Sequence, residues 1–395
     1  MTLNEKFLNV TGLSLDVESM IKSCPVDQKQ SLYDKLNWHI GLLLSTTTKE
    51  GKFTSDGSEK AETLKQIYNL LISTPIADAT ALKEFFDNLI AGESKSLEIS
   101  ENIKTTSALI VENGCSVSLN IPEGKAIDIS KCGYMYGFVA TGEMEISGPG
   151  YVTAKTSGST GSRLLRIIDG GSVKINDGVF SANVPVVNNG GTITINGGDF
   201  TSVEPCVLFQ AAYTDTNVII NNGDFTATDN GVLMGNGTKV TDKNPCKVKV
   251  NGGVFNGGIK SDGYIANGIY CPSFDEIEID GATFNITDGC CVLARAGKVT
   301  VKNTTINMIY TDKALESGKV GDSRVVVPCV PFVFDEAAKY PMLDDDSRIT
   351  IGENVVINYS GEYAYSGKKA ALVTTTSYGT SVLFDNEIDT RIYGI

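Results

Sequence analysis

Two aspartates occupy matching places in a repeated phrase of this sequence. The segment TITINGGDFTS, residues 192–202, is followed by VIINNGDFTAT, residues 218–228, which puts Asp199 and Asp224 in the same slot, 25 residues apart. If the two phrases form adjacent parallel strands, the carboxylates lie about 5 Å apart, which is the separation of the two acids in a retaining glycosidase. Two carboxylates at that distance are also able to hold a cation.

The same slot in other repeats carries Val179, Val254 and Thr283, each directly before a large apolar residue. Because alternate residues of a strand point to opposite faces, this slot faces outward wherever the apolar residue faces inward. The pattern therefore favours a structural role for Asp199 and Asp224, in a solvated wall or a subunit contact. A catalytic pair and a metal site are the alternatives.

Histidine and cysteine chemistry is sparse. The one histidine, His39, adjoins Trp38 on a predicted helix. Because the chain has no second histidine, a Ser-His-Asp or Cys-His centre elsewhere in the chain is excluded. The nine cysteines form no CxxC pair, so a zinc site is not expected. Vicinal Cys290-Cys291 is interpreted as core packing, with a redox pair as the alternative. The acids at residues 344–346 predict a solvated loop or, alternatively, a cation site; we predict no metal and no cofactor.

The charge balance limits the partners. The formal net charge is -14 and the 33 Lys and Arg residues are scattered, so the sequence offers no basic footprint for nucleic acid. It has no run of about 18 apolar residues that predicts a membrane span. The first residues lack the pattern of a secretory signal. The cysteines also show no paired spacing along the sequence. We therefore expect a protein that folds in a cytosol.

Residues 1–95 carry apolar residues at helical spacing and predict four amphipathic helices. Helix starts are indicated by Pro25, by the DGSE phrase at residues 56–59 and by Thr74-Pro75. The helices form either a self-contained bundle or an attachment and oligomerisation module whose apolar faces are completed by another chain. The candidates for an attachment surface are Leu32, Leu36, Trp38, Phe85 and Phe86.

From about residue 97 the sequence repeats an aliphatic residue that is followed five positions later by a large apolar one. Successive units are 20–30 residues long, apart from a last interval of 50, and none contains a helical pattern. Such repeats, with constant strand phrases and variable loops, predict a solenoid of stacked β-coils. The pairs are Ile146/Tyr151, Ile175/Phe180, Ile195/Phe200, Ile220/Phe225, Val250/Phe255, Ile279/Phe284, Val301/Ile306 and Ile351/Val356.

Two vertical columns are predicted from these repeats. Stacked coils place equivalent residues about 4.8 Å apart, so amides that follow the aliphatic residues can bond to one another while they fix the turn through a left-handed φ. The large apolar residues stack in the interior. The predicted Asn ladder comprises Asn176, Asn196, Asn221, Asn251 and Asp280, and the predicted aromatic stack comprises Phe180, Phe200, Phe225, Phe255 and Phe284.

Over roughly residues 97–375 this pattern resembles the right-handed parallel β-helix group, the pectin-lyase-like fold. The resemblance implies a mainly β protein, a single-stranded right-handed parallel β-helix solenoid with an N-terminal α-helical domain. It divides the chain into an attachment or oligomerisation domain at residues 1–95, a β-helix at residues 96–375 and a C-terminal strand and tail at residues 376–395. Lyases, hydrolases, adhesins and phage spikes all share this fold, so it fixes no activity.

The chemistry of the enzymes in that group does not carry over to this chain. Pectate-lyase-like enzymes use a basic residue, commonly Arg, near bound calcium. Arg163-Leu-Leu-Arg166 does not match their proline-containing arginine motif, and Arg295 has no acidic cluster beside it in the sequence. The paired aspartates of pectin hydrolases have a Gly-His companion, which is missing here. The absence of these motifs therefore favours a protein that is not an enzyme.

A helical module joined to a β-helix resembles the fibre and spike proteins of tailed bacteriophages. That resemblance implies a structural virion protein, a head fibre or capsid decoration, which assembles in the host cytoplasm and is displayed on the virion surface. The implied partners are two further copies in a homotrimer, capsid or other virion proteins, and a host-surface glycan. The alternatives are a polysaccharide depolymerase or lyase that uses Asp199 and Asp224, and a bacterial surface adhesin.

Overall fold

The computed structural model consists of a short helical segment followed by a parallel β-solenoid, which confirms the predicted mainly β class with N-terminal helices. The structure describes residues 2–25, 28–40, 59–130, 136–154, 162–228, 231–236, 244–258, 267–294, 296–309, 311, 318–320, 323–327, 331–334, 348–360, 372–374 and 382–384.

Short polar residues set the starts of three helices. Thr2 and Glu5 form a capping box, in which the Thr2 hydroxyl accepts from the Glu5 N–H and the Glu5 carboxylate accepts from the Thr2 N–H. Asp16 and Asp78 accept from backbone N–H groups at the starts of the second and fifth helices. The described helices are α1 (Leu3–Thr11), α2 (Val17–Lys22), α3 (Lys29–Ile40), α4 (Glu59–Ile72) and α5 (Ala79–Asp87).

The sequence prediction for this region is wrong in two places. Helical spacing did not indicate α1, which is fixed by its capping box. Thr74-Pro75 does not open a helix: residues 74–76 form a strand that pairs in parallel with a strand starting at Ser94, and α5 begins only at Ala79. A proline is tolerated at a strand on the edge of a sheet, where its missing N–H is not needed. Residues 56–58 of the DGSE phrase lie outside the described residues.

Short strands of three to five residues predominate in the rest of the chain. They are β1 (Thr74–Ile76), β2 (Ser94–Ile99), β3 (Ile103–Lys104), β4 (Leu109–Val111), β5 (Ser116–Asn120), β6 (Ala126–Asp128), β7 (Tyr136–Ala140), β8 (Glu143–Ser147), β9 (Tyr151–Thr153), β10 (Arg163–Ile175), β11 (Val179–Ala182), β12 (Val184–Ile195), β13 (Asp199–Ser202), β14 (Val207–Phe209), β15 (Thr216–Ile220) and β16 (Asp224–Ala227). The second half contains β17 (Leu233–Gly235), β18 (Cys246–Val250), β19 (Val254–Gly258), β20 (Asn267–Cys271), β21 (Glu276–Asp280), β22 (Thr283–Thr287), β23 (Cys290–Ala294), β24 (Lys298–Lys302), β25 (Thr305–Ile309), β26 (Gly318–Val320), β27 (Ser323–Val327), β28 (Phe332–Phe334), β29 (Arg348–Ile351), β30 (Val356–Ser360), β31 (Leu372–Thr374) and β32 (Val382–Phe384).

These strands build three walls, in which each strand pairs in parallel with its equivalent in the next coil. Wall 1 contains β4, β7, β14, β17, β20, β23, β28 and β31. Wall 2 contains β1, β2, β5, β8, β15, β18, β21, β24, β29 and β32. Wall 3 contains β3, β6, β9, β11, β13, β16, β19, β22, β25 and β30. The long strands β10 and β12 bend from wall 1 into wall 2, and the pair β26–β27 is antiparallel.

The interior of the solenoid is one continuous apolar core. On wall 3 the rings of Phe180, Phe200, Phe225, Phe255 and Phe284 lie in a single column, with neighbouring centroids 4.8–4.9 Å apart and ring planes within 20° of each other. The spacing matches the distance between hydrogen-bonded strands, so the backbone ladder and the ring stack enforce the same register. The aliphatic anchors of the repeat form the matching column on wall 2, from Ile146 to Ile351.

Two of the predicted inward residues face outward. Tyr151 is 47% exposed and Val356 is 51% exposed, whereas the following residues, Val152 and Ile357, occupy the interior column. The turns before β9 and β30 each contain one residue more than the turns before β11, β13, β16, β19, β22 and β25, so the inward residue comes six positions after the aliphatic anchor. A one-residue change of turn length reverses every side chain of the strand that follows.

Glycine makes the bend between walls 2 and 3 in the middle coils. Gly198 has φ +103°, and a Cβ there would lie 2.8 Å from the carbonyl oxygen of Gly178 in the coil below. The turn therefore needs glycine both for its φ and for the close approach of two backbones. The prediction of a left-handed φ is wrong for the four asparagines of the predicted ladder, and a left-handed φ occurs instead at Asn303 (φ 48°) and Asn354 (φ 57°).

The solenoid core begins inside the segment predicted as the helical domain at residues 1–95. Strand β1 continues wall 2, and Leu82 and Phe86 of α5 belong to the solenoid core, where the Phe86 ring lies 6.2 Å from that of Phe138. Helices α1–α4 enclose a separate core around Phe7, Leu36 and Ile67. Helix α5 thus caps the first coil, and the helical cluster with its own core spans residues 3–72.

The end of the chain continues the same walls. Strand β31 pairs with β28, and β32, which lies within the predicted tail at residues 376–395, pairs with β29. Residues 385–395 lie outside the described part. Among the described residues no helix is long and apolar enough to cross a membrane.

We predict that Phe225→Ala destabilises the protein by about 3–5 kcal/mol, because it removes a fully buried ring with a stacked neighbour on each side. Urea unfolding followed by far-UV circular dichroism measures the change. Tyr151→Ala, which truncates an outward ring of the same wall, should change the free energy of unfolding by less than about 0.5 kcal/mol. Equal losses in the two variants would contradict a role for the ring stack in stability.

Candidate functional site

Asp199 and Asp224 are register partners on the outer face of wall 3. Asp199 opens β13 and Asp224 opens β16, and both side chains are exposed. Each backbone N–H donates to a glycine carbonyl of the coil below, at 2.8 and 3.0 Å. The structure therefore brings the two sequence-predicted acids side by side on a solvated wall, each preceding an inward phenylalanine.

The electrostatics of the pair are those of two like charges. Partial burial raises the pKa of Asp199, and the negative charges of Asp224 and Asp177 raise it further. Neither carboxylate of the pair has an ion-pair partner in the described part of the chain. No group of three or more His, Cys, Asp or Glu residues that could hold a metal ion is present among the residues that the structure describes. The pair offers a metal only two carboxylate side chains.

The first Asn ladder runs along the turn between walls 2 and 3. Asn196 donates to Asn176 (2.9 Å), Asn221 to Asn196 (2.8 Å) and Asn251 to Asn221 (2.8 Å). Asp280 does not continue this chain of bonds, because its carboxylate has no amide hydrogen to donate to Asn251. It accepts instead from Asn303 at 2.7 Å, and thereby starts a new series.

A second ladder, which the sequence analysis missed, lies on the outer face of wall 3. Asn285 donates to Asn256 (2.8 Å), Asn307 to Asn285 (2.8 Å) and Asn358 to Asn307 (2.9 Å). Each of these residues directly follows the inward apolar residue of its coil. The signal in the sequence is an Asn six positions after the aliphatic anchor in three of the last coils.

The outer faces of walls 2 and 3 differ in charge. On wall 2, Lys302 forms ion pairs with Glu278 (2.9 Å) and Asp280 (3.3 Å), and Lys247 is the register partner of Glu276. On wall 3 the outward residues of β19, β22, β25 and β30 carry no charge, and we call this surface the ladder face. It comprises Val254, Asn256, Thr283, Asn285, Thr287, Thr305, Asn307, Ile309, Val356, Asn358 and Ser360.

The predicted attachment residues do not form one surface. Leu36 and Phe86 are buried in two different cores, and Leu32 and Phe85 pack against those cores. Trp38 alone is exposed, at 77%, with His39 edge-on to its ring at 5.0 Å. The amphipathic pattern located the cores of the two helical elements and could not separate a core residue from a docking residue.

A buried carboxylate was not indicated by the sequence. Asp275 is 2% exposed and accepts from the Cys246 N–H (3.2 Å) and the Ser273 hydroxyl (3.2 Å). Burial raises the pKa of Asp275 to about 6, against the opposing effect of these hydrogen bonds. Its bonds fix the segment between β20 and β21 to the start of β18. A single Asp in a loop phrase carries no sequence signal for such a role.

The cysteines that the structure describes in the solenoid are packing residues. Cys115 is 3% exposed, Cys206, Cys246, Cys271, Cys290 and Cys291 are all 0% exposed, and none of the six forms a disulfide. Burial raises the pKa of the Cys206 thiol to about 12 and raises the pKa of Cys291. A thiol that stays protonated is a poor nucleophile. Cys132, Cys329, Arg295 and the acids at residues 344–346 lie outside the described residues.

No protein-family model, curated protein or solved structure matches the chain. Function is therefore inferred from three surfaces of the molecule: the acidic pair, the ladder face and the exposed residues of the helical cluster.

We predict that Asp199→Asn stabilises the protein at pH 7 by less than about 1 kcal/mol. A carboxyl whose pKa is raised on folding destabilises the folded state above its folded-state pKa and has no effect below its unfolded value of about 3.9. The gain should therefore vanish by pH 3. Melting temperatures across this pH range measure it, and Asp224→Asn should give the same direction of change. A loss of stability at pH 7 in Asp199→Asn would contradict the repulsion.

We further predict slow labelling of the six buried solenoid thiols that the structure describes by a thiol-reactive disulfide reagent in the native protein, because burial blocks access and raises the pKa of several of them. Cys24, which is partly exposed, should react first among the described cysteines. Mass spectrometry of peptides after short labelling identifies the sites, and labelling in 6 M guanidinium provides the complete reference. Rapid native labelling of Cys290 or Cys291 would instead indicate a redox site.

Proposed function

We propose that the protein is a structural component of a tailed-phage virion, a head fibre or capsid decoration, in which residues 3–72 attach to the particle and the solenoid projects from it. The observation that carries the proposal is the single stacked core of the solenoid, which runs from α5 and β1 to the strands after residue 348. The ten strands of wall 3, at a spacing of about 4.8 Å, give a stack roughly 43 Å long. A column of this kind displays a surface at a distance from its base.

The helical cluster supports the anchoring part of the proposal. It has its own apolar core, and it still exposes Leu8, Leu13, Met20, Trp38 and Tyr68. Tryptophan and tyrosine are enriched among the residues that dominate binding energy in protein interfaces. Helix α4 joins the cluster to the solenoid through contacts such as the Asn69 amide to the Ser118 hydroxyl, at 3.2 Å. Capsid or other virion proteins are the proposed partners of this exposed group.

The ladder face supports the display part of the proposal. In a chain with net charge -14, its four outer strands carry amides, hydroxyls and a few apolar side chains but no charge. Like-charge repulsion is therefore weakest there, which favours contact with other copies of the chain in a homotrimer or with a host-surface glycan. The proposed site of action is the virion surface, after assembly in the host cytoplasm.

A polysaccharide depolymerase is the second candidate, favoured by one observation. Asp199 and Asp224 lie in register on adjacent strands, and the raised pKa of Asp199 is in the direction that a general acid needs. Incubation of host capsular glycan with the protein separates the two candidates. Glycan cleavage that is lost in the double variant D199N/D224N would favour the depolymerase over the structural role.

We predict that a chain starting at Ser73 folds but is not incorporated into particles, because β1 and α5 complete the solenoid while residues 3–72 form a separate core. Truncation at residue 95 would remove Leu82 and Phe86 from the solenoid core and would confound the test. Circular dichroism checks folding, and immunoblots of gradient-purified particles measure incorporation.

The full-length variant Trp38→Ala tests the exposed ring of the helical cluster. We expect its incorporation to fall at least about tenfold, since a buried interface tryptophan is commonly worth 2 kcal/mol or more. Tyr213→Ala is the matched control, because Tyr213 is 75% exposed and lies on the solenoid. Normal incorporation of both Trp38→Ala and the chain starting at Ser73 would contradict the anchoring role.

A further inference from the structure

Two arginines share one tyrosine ring on wall 1. Arg163 opens β10 and is the register partner of Tyr136, the first residue of β7. The Arg163 guanidinium donates from Nη1 to the Tyr136 hydroxyl at 2.7 Å, and its central carbon lies 5.5 Å from the ring centroid. The guanidinium carbon of Arg166 lies 4.8 Å from the same centroid. The ring therefore holds two positive charges close together.

Neither guanidinium has a carboxylate partner within the part of the chain that the structure describes. Both side chains are partly buried, and the Nε–H groups of Arg163 and Arg166 are buried without an acceptor. Two lysines of wall 2 differ, since Lys302 and Lys174 each lie within 4 Å of a carboxylate. Partly desolvated charges without a counter-ion are unfavourable, and a cation–π contact offsets only part of that cost.

The sequence around the pair contains one acid, Asp169, three positions after Arg166, and it forms no ion pair with either arginine within the described part of the chain. The segments at residues 131–135 and 155–161, which lie outside the described residues, contain Lys131 and Lys155 and no Asp or Glu. The acids that follow β7 are on β8 in wall 2, where Glu145 accepts from Asn176 at 2.7 Å and lies 3.6 Å from Lys174. In a chain with 47 acidic residues and only 33 basic ones, this is a locally basic site.

We propose that Tyr136, Arg163 and Arg166 form a binding site for an oxyanion carried by a partner molecule. Guanidinium groups bind carboxylate, sulfate and phosphate through several charge-assisted hydrogen bonds, and an anion at this place neutralises the two unpaired charges. Tyr136 positions both arginines: its hydroxyl fixes Arg163 and its ring face holds Arg166. The site is independent of the anchoring role of the helical cluster and of the acidic pair on wall 3.

Isothermal titration calorimetry on the full-length protein tests the site with three separate probes, sodium glucuronate, sodium sulfate and inorganic phosphate. Sodium chloride keeps the ionic strength constant, and glucose is the uncharged counterpart of glucuronate. We expect saturable binding of at least one oxyanion with one site per chain, and no binding of glucose. The probe that binds tightest distinguishes a carboxylate-bearing partner from a sulfated or phosphorylated one. Wild-type protein that binds none of the three anions overturns the proposal.

Variants then place the bound anion. Arg163→Gln and Arg166→Gln should each weaken the affinity about tenfold or more, because each removes a charged donor from the anion. The matched control is Lys247→Gln, which removes one exposed positive charge from the outer face of wall 2. Melting curves without anion show whether each variant is folded. Unchanged affinity in both arginine variants, or an equal loss in Lys247→Gln, would show that the anion binds elsewhere or through net charge alone.

Discussion

The in-register stacking of equivalent side chains in successive coils is the constraint on which the rest of the structure depends. Parallel strands about 4.8 Å apart allow an aromatic ring, an aliphatic side chain or an amide to contact the equivalent side chain in the coils above and below. In this chain the phenylalanine centroids repeat at 4.8–4.9 Å and the asparagine amides bond at 2.8–2.9 Å. Every coil must therefore return to the same place, and variation is confined to the loops.

That constraint leaves the outer faces free to differ. On wall 2, Lys174 and Lys302 form ion pairs with carboxylates of neighbouring coils. The ladder face on wall 3 satisfies its amides within a ladder and carries no charge, while Asp224 and Asp199 lie on the same wall in the two adjoining coils. Wall 1 carries Arg163 and Arg166 on the ring of Tyr136, and neither arginine pairs with an acid within the described part of the chain. The same coil backbone thus supports three chemically distinct outer surfaces, one on each wall.

The first coil shows how the solenoid is closed. An exposed end of a stack of strands invites pairing with other chains. Here β1 extends wall 2, and α5 places Leu82 and Phe86 over the open end of the core. The helices before α5 then need a core of their own, which they build around Phe7 and Leu36. The cap and the helical cluster are therefore separate structures, although both look alike as amphipathic helices in the sequence.

The repeat in the sequence was enough to determine the fold class, the phenylalanine column and most of the first ladder, because a strand phrase that recurs in register leaves little choice of packing. It could not determine that Tyr151 and Val356 face solvent, since that follows from one extra residue in a turn. It also could not determine that Asp280 ends the first ladder. Asp280 has no amide hydrogen to donate to Asn251, and it accepts instead from Asn303 in the next coil. The pairing of Arg163 and Arg166 on Tyr136 was likewise invisible in the sequence, because residues 27 or more positions apart become neighbours only when coils stack.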